Sequence, residues 1–296
     1  MTTEAAAEFA SHRSRLFSLA YRTLGSASEA EDAVQDTYLR WSAADRALIH
    51  TPAAWLTRVL TNLCVNRLTS ARARREVYVG TWLPEPVLTH PAASELGPLE
   101  TAEQRESVSL ALLTLMERLT PAERAVFVLR EAFGHSHREV AEAVGIEEAH
   151  SRQLHRRARE RLDGRRHFDV DGAGHRRIVE RFLAATLDGD LAGLERLLAD
   201  DVVAWTDGGG QVTAARRPIA GRARVLRYLL GLGSRPEVAY VHFEFVEANG
   251  APAALVRADR TLVAVVVPEI HDGLVSGVRT IVNPAKLAFA ARQSAA

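Results

Sequence analysis

The chain has 296 residues, enough for two or three domains with cores of their own, and its 47% hydrophobic and 25% charged residues are ordinary for a globular protein. Its 37 basic and 37 acidic residues cancel, so any affinity for nucleic acid has to come from local patches. A single cysteine, Cys64, excludes an intramolecular disulfide and a multi-cysteine metal site; on the apolar side of a predicted helix, it reads as a buried thiol. No secretion signal and no membrane-length apolar run are present, so the expected location is the cytoplasm, with no membrane partner.

Phe9, Leu16, Leu19, Ala20 and Leu24 outline an amphipathic helix that stops at Gly25. Ser28 with Glu31 is a capping-box pattern opening a second helix that runs to Trp41. Ala30, Val34, Tyr38 and Trp41 face inward in that helix, which leaves Asp32, Gln35, Asp36 and Arg40 on outward or flanking positions. Thr51-Pro52 gives an N-cap and an N1 proline to a third helix. It is apolar through Trp55, Leu56, Val59, Leu60 and Leu63, and polar through Arg58, Asn62, Asn66 and Arg67. An acidic, amide-bearing face on one helix and a basic, amide-rich face on the next suggest two different partners.

From Tyr78 to Pro98 prolines recur and helical periodicity vanishes, the pattern of a linker. The stretch Trp82 to Pro86, WLPEP, is out of character there, because a spacer needs neither a tryptophan nor a rigid Pro-Glu-Pro. It reads either as an anchor for another part of the molecule or as a chance apolar contact. A helix is predicted over Leu99–Leu119, and another behind Thr120-Pro121 with Glu123 as capping box, ending near Gly134. Ser136 with Glu139 opens a further helix, and Gly145 allows a sharp turn that Ile146 can plug. The helix that follows, from about Glu147, keeps Leu154, Ala158 and Leu162 on one stripe, while Arg152, Gln153, Arg156, Arg157, Arg159 and Arg161 fill much of the rest. That is the layout of a helix-turn-helix, with base-reading side chains early on the second helix and phosphate-binding arginines further along. The alternative is a solvated basic helix in an ordinary bundle.

After about Ala173 the character changes. An amphipathic helix over His175–Asp188 and a short one capped by Asp190 precede β-type runs at Val202–Thr206, Val238–Val246, Ala253–Arg257, Thr261–Val267 and Leu274–Val282, with one more helix at Gly221–Leu232. Helices first and a curved antiparallel sheet after them make an α+β cone. An enzymatic reading places Asp207, His242 and Trp205 in that cone, Asp207 as general base with a His partner. The opposing reading takes Asp207 with Gly208, Gly209 and Gly210 as a turn suited to close approach by a partner segment.

The blocks EDAVQDTYLRW, TPAAWLTRVLTNLCVNRL and the helix-turn-helix ending HRRARERL resemble a bacterial extracytoplasmic-function (ECF) sigma factor over the first half of the chain. The resemblance implies a multidomain protein: sigma region 2 over 1–78, a linker over 79–98, sigma region 4 over 99–167, and an α+β cone over 173–296 that is similar to the SnoaL-like (nuclear-transport-factor-2-like) fold. It implies that Asp32, Gln35, Asp36 and Arg40 dock the β′ clamp helices of core RNA polymerase, and that the β flap and promoter DNA are further partners. The segment from about Ala44 to Asn66 would capture the −10 element, where Arg58, Asn62, Asn66 and Arg67 suit a flipped base and its phosphates. Trp55 reads as a stacking platform or as core. In region 4, Arg152 and Gln153 fall where bidentate contacts to guanine and adenine discriminate by about 1–3 kcal/mol, and Arg156, Arg157 and Arg159 suit phosphates. Ser151 stands where the family pattern is apolar, which implies looser packing there.

Some ECF sigma factors resemble the whole chain, with WLPEP in the linker, a DGGG turn and a terminal NPxKL motif, here Asn283-Pro284-Ala285-Lys286-Leu287. In these the extension is implied to regulate the sigma modules in place of a separate anti-sigma factor. The expected regulatory contact sets Trp82 and Pro84 against Asp207–Gly210, with Asn283, Pro284 and Lys286 nearby. No enzyme activity and no cofactor are implied; a small-molecule ligand in the cone, or a small-molecule enzyme fused to a DNA-binding module, is the alternative.

Overall fold

Short polar residues at helix starts set the boundaries of the N-terminal half. The computed structural model describes residues 3–89, 95–97, 99, 101–162, 172–236 and 240–295. These divide into two units, Met1–Val77 with Pro91–Arg165, and Tyr78–His90 with Arg166–Ala296. Residues 79–90 of the expected linker, together with Tyr78 from the end of the expected region 2, therefore belong with the C-terminal unit. The expected boundaries at 98 and 167 fall on residues outside the described ones.

In the first unit α1 (Thr3–Leu24) buries Phe9, Leu16, Leu19, Ala20 and Leu24 and ends at Gly25, whose φ is 70°. The next helix, α2 (Ala27–Ala43), is capped by Ser26 and not by Ser28: the Ser26 hydroxyl accepts from the Glu29 amide at 3.1 Å. Gly25 leaves only one extended residue before the new helix, and that residue is Ser26; the Ser28 hydroxyl lies 3.1 Å from the Ser26 hydroxyl instead. A 3-10 turn at Arg46–Leu48 leads to α3 (Pro52–Glu76), which buries Leu56, Leu60, Leu63 and Cys64. Trp55 lies against Trp41 with ring centroids 5.6 Å apart, which favours its core reading. Burial pushes the Cys64 thiol up to about 12.

The single helix expected over Leu99–Leu119 is broken into α4 (Ala102–Glu106) and α5 (Leu110–Leu115), followed by a 3-10 turn at Met116–Arg118. Serine side chains explain the break. The Ser107 hydroxyl bonds back to the Gln104 carbonyl, and extended Ser109 accepts from the Leu112 amide, restarting the helix. Behind the Thr120/Glu123 and Ser136/Glu139 capping boxes come α6 (Pro121–Glu131) and α7 (His137–Val144). At the end of α7, Gly145 takes the left-handed conformation (φ 78°, ψ 41°) and turns the chain into α8 (Glu148–Leu162). α1 packs on α2, α3 and α6, and α3 packs on α6 and α7, so the two helical modules close on one another within this unit.

The second unit opens with α9 (Gly172–Asp188) and α10 (Leu191–Leu197), the latter capped by Asp190. Then follow β1 (Leu198–Asp207), β2 (Ile219–Ala220), α11 (Arg222–Gly233), β3 (Val241–Ala248), β4 (Ala251–Ala258), β5 (Thr261–His271), β6 (Leu274–Ile281) and α12 (Pro284–Gln293). The sheet order is β2-β1-β6-β5-β4-β3. It is mixed, not wholly antiparallel as expected, because β1 and β6 pair in parallel. Asn249-Gly250 and Asp272-Gly273, all with φ between 50° and 73°, turn the β3–β4 and β5–β6 hairpins as Asn-Gly and Asp-Gly pairs should. Val179, Phe182 and Leu183 of α9, Leu194 of α10 and Val225 and Leu229 of α11 bury one sheet face through Val202, Ala204, Ala254 and Val278. Among the described residues no helix is long and apolar enough to cross a membrane.

A Cβ at Gly145 would meet nothing within 4 Å, so Gly145→Ala carries only the conformational cost of a left-handed alanine. It should destabilise the chain by about 1 kcal/mol in chemical denaturation, without the larger loss that a steric clash would add.

Candidate nucleic-acid interfaces and the linker dock

On α2, Asp32, Gln35 and Arg40 are exposed and Asp36 is half-buried. On α3, Arg58 and Asn66 are exposed and Asn62 is half-buried, all at i, i+4 spacing on one side of the helix. Arg67 does not stand free beside them. Its guanidinium lies 2.7 Å from Asp36 and 3.8 Å from Asp32, so the structure ties one predicted DNA contact to two predicted polymerase contacts.

On α8 the exposed side is Arg152, Gln153, Arg156, Arg157 and Arg159, while Ser151, Leu154, Ala158 and Leu162 are buried. Arg152 pairs with Glu148, and Arg156 lies 3.7 Å from Glu160. Ser151 is fully buried yet not loosely packed, because its hydroxyl lies 3.1 Å from Nδ1 of His137. The His137 ring meets the His155 ring edge-on at 5.5 Å, and His155 Nε2 is 2.7 Å from Glu131. Burial, then the nearby Arg130, holds the His137 imidazole below its usual range.

A buried polar cluster lies elsewhere, at the end of β1. Asp207 is 0% exposed and every lone-pair direction of its carboxylate is used. Oδ1 accepts from the Tyr78 hydroxyl at 2.6 Å and the Gly209 amide at 3.1 Å. Oδ2 accepts from the Leu83 amide at 2.8 Å and the Lys286 ammonium at 2.7 Å. Lys286 also donates to the Leu83 carbonyl, and its ammonium sits 4.9 Å from the Tyr78 ring centre and 4.3 Å from that of Trp82. Asn283 caps α12 through the Ala285 amide and donates to the Tyr78 hydroxyl at 2.9 Å.

Glycine is required in this turn. A Cβ on Gly209, at φ 58°, would fall 2.2 Å from Asn283 Nδ2, and one on Gly210, at φ 73°, 3.1 Å from Val79. Further along, residues 83–89 are buried. The Val87 amide donates to the Asn249 side chain, and the Asn249 amide returns a bond to the Val87 carbonyl. The Gln293 amide group bonds both the NH and the CO of Leu88, and Thr89 reaches the backbone and side chain of Glu247 on β3. WLPEP is thus laid along the sheet, with Trp82 on Lys286 and Pro84 buried.

Residues 9–74 match the Sigma-70 region 2 family, and residues 109–162 match Sigma-70, region 4. The chain is 41% identical over 231 residues to the ECF RNA polymerase sigma factor SigJ of Mycobacterium tuberculosis, covering 77% of this chain and 73% of that one. It belongs to the ECF RNA polymerase sigma factors. A second relative, the probable ECF sigma factor SigI of the same species, is 32% identical over 95% of this chain and 94% of its own. The crystal structure of M. tuberculosis SigJ superposes with a TM-score of 0.78 at 33% identity, over 96% of this chain and 98% of that one. This ECF sigma factor accordingly combines two all-α modules with a C-terminal α+β unit.

The enzymatic placement of Asp207, His242 and Trp205 in the cone does not hold. Val202 and Ala204 face the helices and Thr206 meets Tyr228 of α11 at 2.9 Å, so alternation turns Trp205 and Asp207 to the opposite sheet face. Trp205 lies under the Arg279 guanidinium at 4.3 Å. His242 is exposed on the edge strand β3, with β6, β5 and β4 between it and β1. Sequence reasoning passed over Tyr78, Asn249 and Gln293. Asn249 carried a signal as the Asn of an Asn-Gly hairpin; Gln293 carried none.

The sigma factor's dock makes its own pH prediction. Burial and the adjoining Asp207 raise the Tyr78 phenol above its ordinary range, so the docked state favours the protonated ring. Docking should be fully present below the ordinary phenol value of about 10 and weaken as pH rises beyond it. Trp82 fluorescence would report this, and Tyr78→Phe should flatten the alkaline limb. Gly209→Ala should release the linker at neutral pH, exposing residues 78–90 to limited proteolysis.

Proposed function

We propose that this ECF sigma factor directs promoter-specific transcription initiation under the control of its own C-terminal unit, exerted by holding the linker. Family membership carries the first part: sigma factors bind core RNA polymerase and promoter DNA. In this reading Asp32, Gln35, Asp36 and Arg40 meet the polymerase clamp, Arg58, Asn62, Asn66 and Arg67 meet the −10 element, and Arg152, Gln153, Arg156, Arg157 and Arg159 meet the −35 element. The exposure of Asp32, Gln35, Arg40, Arg58, Asn66, Arg152, Gln153, Arg156, Arg157 and Arg159 supports these roles. Asp36, Asn62 and Arg67 are half-buried, and Arg67 would have to leave its ion pairs with Asp36 and Asp32.

The observation that carries the regulatory part is the buried Asp207–Lys286 pair roofed by Tyr78, Trp82 and Leu83. A switch needs a contact that differs between two states. Here the docked linker completes the carboxylate's bonding, and the released linker hands both charges back to water. Free, the thirteen residues 78–90 can extend about 45 Å, at about 3.3–3.6 Å per residue. Docked, they follow one path on the sheet, which limits how far regions 2 and 4 can part.

Run-off transcription with purified core polymerase tests this in the full-length chain. Asp207→Ala and Trp82→Ala should each raise promoter-specific transcript about threefold or more at matched core binding. An unchanged or lower yield overturns the proposal.

A further inference from the structure

The first unit carries a contact set that no DNA-reading or polymerase-binding role uses. Arg15 and Arg22 are seven residues apart on α1, and so lie on one helix face. Both guanidinium groups lie over the ring of Phe133, at 5.7 Å and 5.6 Å from its centre. Phe133 belongs to the turn between α6 and α7, the element that aims the helix-turn-helix, and Gly134 beside it adopts φ 66°. Arg15 also lies 3.1 Å from Nε2 of His135, and Arg22, buried, donates to the Ser107 hydroxyl at 2.9 Å. Ser14 donates to the Glu95 carbonyl at 3.0 Å. One face of the first helix of region 2 thus grips region 4 and the segment leading into it.

Size makes this grip consequential. A compact unit of about 150 residues has a radius of gyration near 15 Å and measures roughly 40 Å across. Elements centred near −10 and −35 lie more than twenty base pairs apart, which at about 3.4 Å per base pair exceeds roughly 70 Å. Regions 2 and 4 packed as one unit cannot hold both elements at once. The contact between them has to open before the promoter is engaged.

We propose that the Arg15–Phe133–Arg22 stack is an autoinhibitory staple, which holds regions 2 and 4 in a closed form that cannot span a promoter. The proposal rests on the reading of these modules as promoter readers, and the following experiment separates the two. Cysteines introduced at exposed Ser42 and Glu147 carry spin labels for pulsed distance measurement in the full-length chain, while Cys64, buried, stays unlabelled. The wild type should give one short distance. Phe133→Ala should add a long-distance population, raising the open-to-closed ratio about tenfold, the scale of two cation–π contacts. Phe133→Leu, which keeps apolar bulk without a ring, should behave like Phe133→Ala, and Phe133→Trp should restore closure.

An unchanged distance in Phe133→Ala, or a closed Phe133→Leu, overturns the staple. With matched core binding, Phe133→Ala holoenzyme should form open promoter complexes several-fold faster; an unchanged rate overturns the inhibitory role. Wild-type holoenzyme that initiates at no promoter would instead sink the sigma-factor reading, and the distance measurement would still decide the staple.

Discussion

A carboxylate and an ammonium taken out of water together are tolerated only when each finds its full set of partners, and the second unit is arranged around that requirement. The desolvation penalty is several kcal/mol per ion even after relaxation, so a buried pair stands close to break-even. Asp207 meets the condition with four donors, two of which, the Tyr78 hydroxyl and the Leu83 amide, come from the linker. Lys286 meets it with Asp207, the Leu83 carbonyl and two aromatic faces, again mostly from the linker. The pair is fully satisfied only while residues 78–83 are in place. In the proposed switch, that dependence is what distinguishes the docked linker from the released one.

The parallel pairing of β1 with β6 is what makes the site possible. Asp207 is the last residue of β1 and registers with Ile281 at the end of β6, so both strands deliver their C-terminal ends to one place. Two residues further on, Asn283 caps α12, and Lys286 follows within the helix's first turn. An antiparallel neighbour would have put these C-terminal ends at opposite ends of the strand pair. The glycine turn then lets the linker come close, because a side chain at Gly209 would occupy the space of Asn283. At the far end, the tight Asn249-Gly250 hairpin presents an amide that pairs with the backbone of Val87 like a strand neighbour.

Much of this could be read from the residues, and the failures share a cause. Capping boxes at Thr120 and Ser136, the left-handed Gly145 and the stripe Leu154–Ala158–Leu162 are local signals, and the helix-turn-helix follows them closely. Where several serines compete, as at Ser26/Ser28 and Ser107/Ser109, spacing alone does not say which hydroxyl caps. α12 follows five β-type runs, and only Asn283-Pro284, with the same N-cap and N1-proline form as the start of α3, marks where the pattern turns helical. The bonds to Gln293, 205 residues from Leu88, and the ion pair of Arg67 with Asp36 are long-range, and nothing in local pattern reports them. Among the candidate residues, those that define a turn or a helix face were legible, and those defined by what the fold brings beside them were not.

The identity of residue 286 sharpens the physical argument. Every other basic residue among the 37 is arginine, so lysine at this one position is not a matter of composition. An ammonium is a compact charge with three donors on a flexible stem, whereas guanidinium is a broad planar fork with five. The slot between the Tyr78 and Trp82 rings, floored by Asp207 Oδ2 and the Leu83 carbonyl, offers two acceptors and two π faces around a single point. A guanidinium there would leave donors facing aromatic rings with no acceptor, and buried unsatisfied donors cost about 1–3 kcal/mol each. Lysine fits the slot with the linker docked, and in the proposed released state its strongly hydrated head group would be well served by water. In the proposed switch, a charge served in both states, bound to a carboxylate served in both, is what would keep the gap between them small enough for binding of polymerase or promoter to tip.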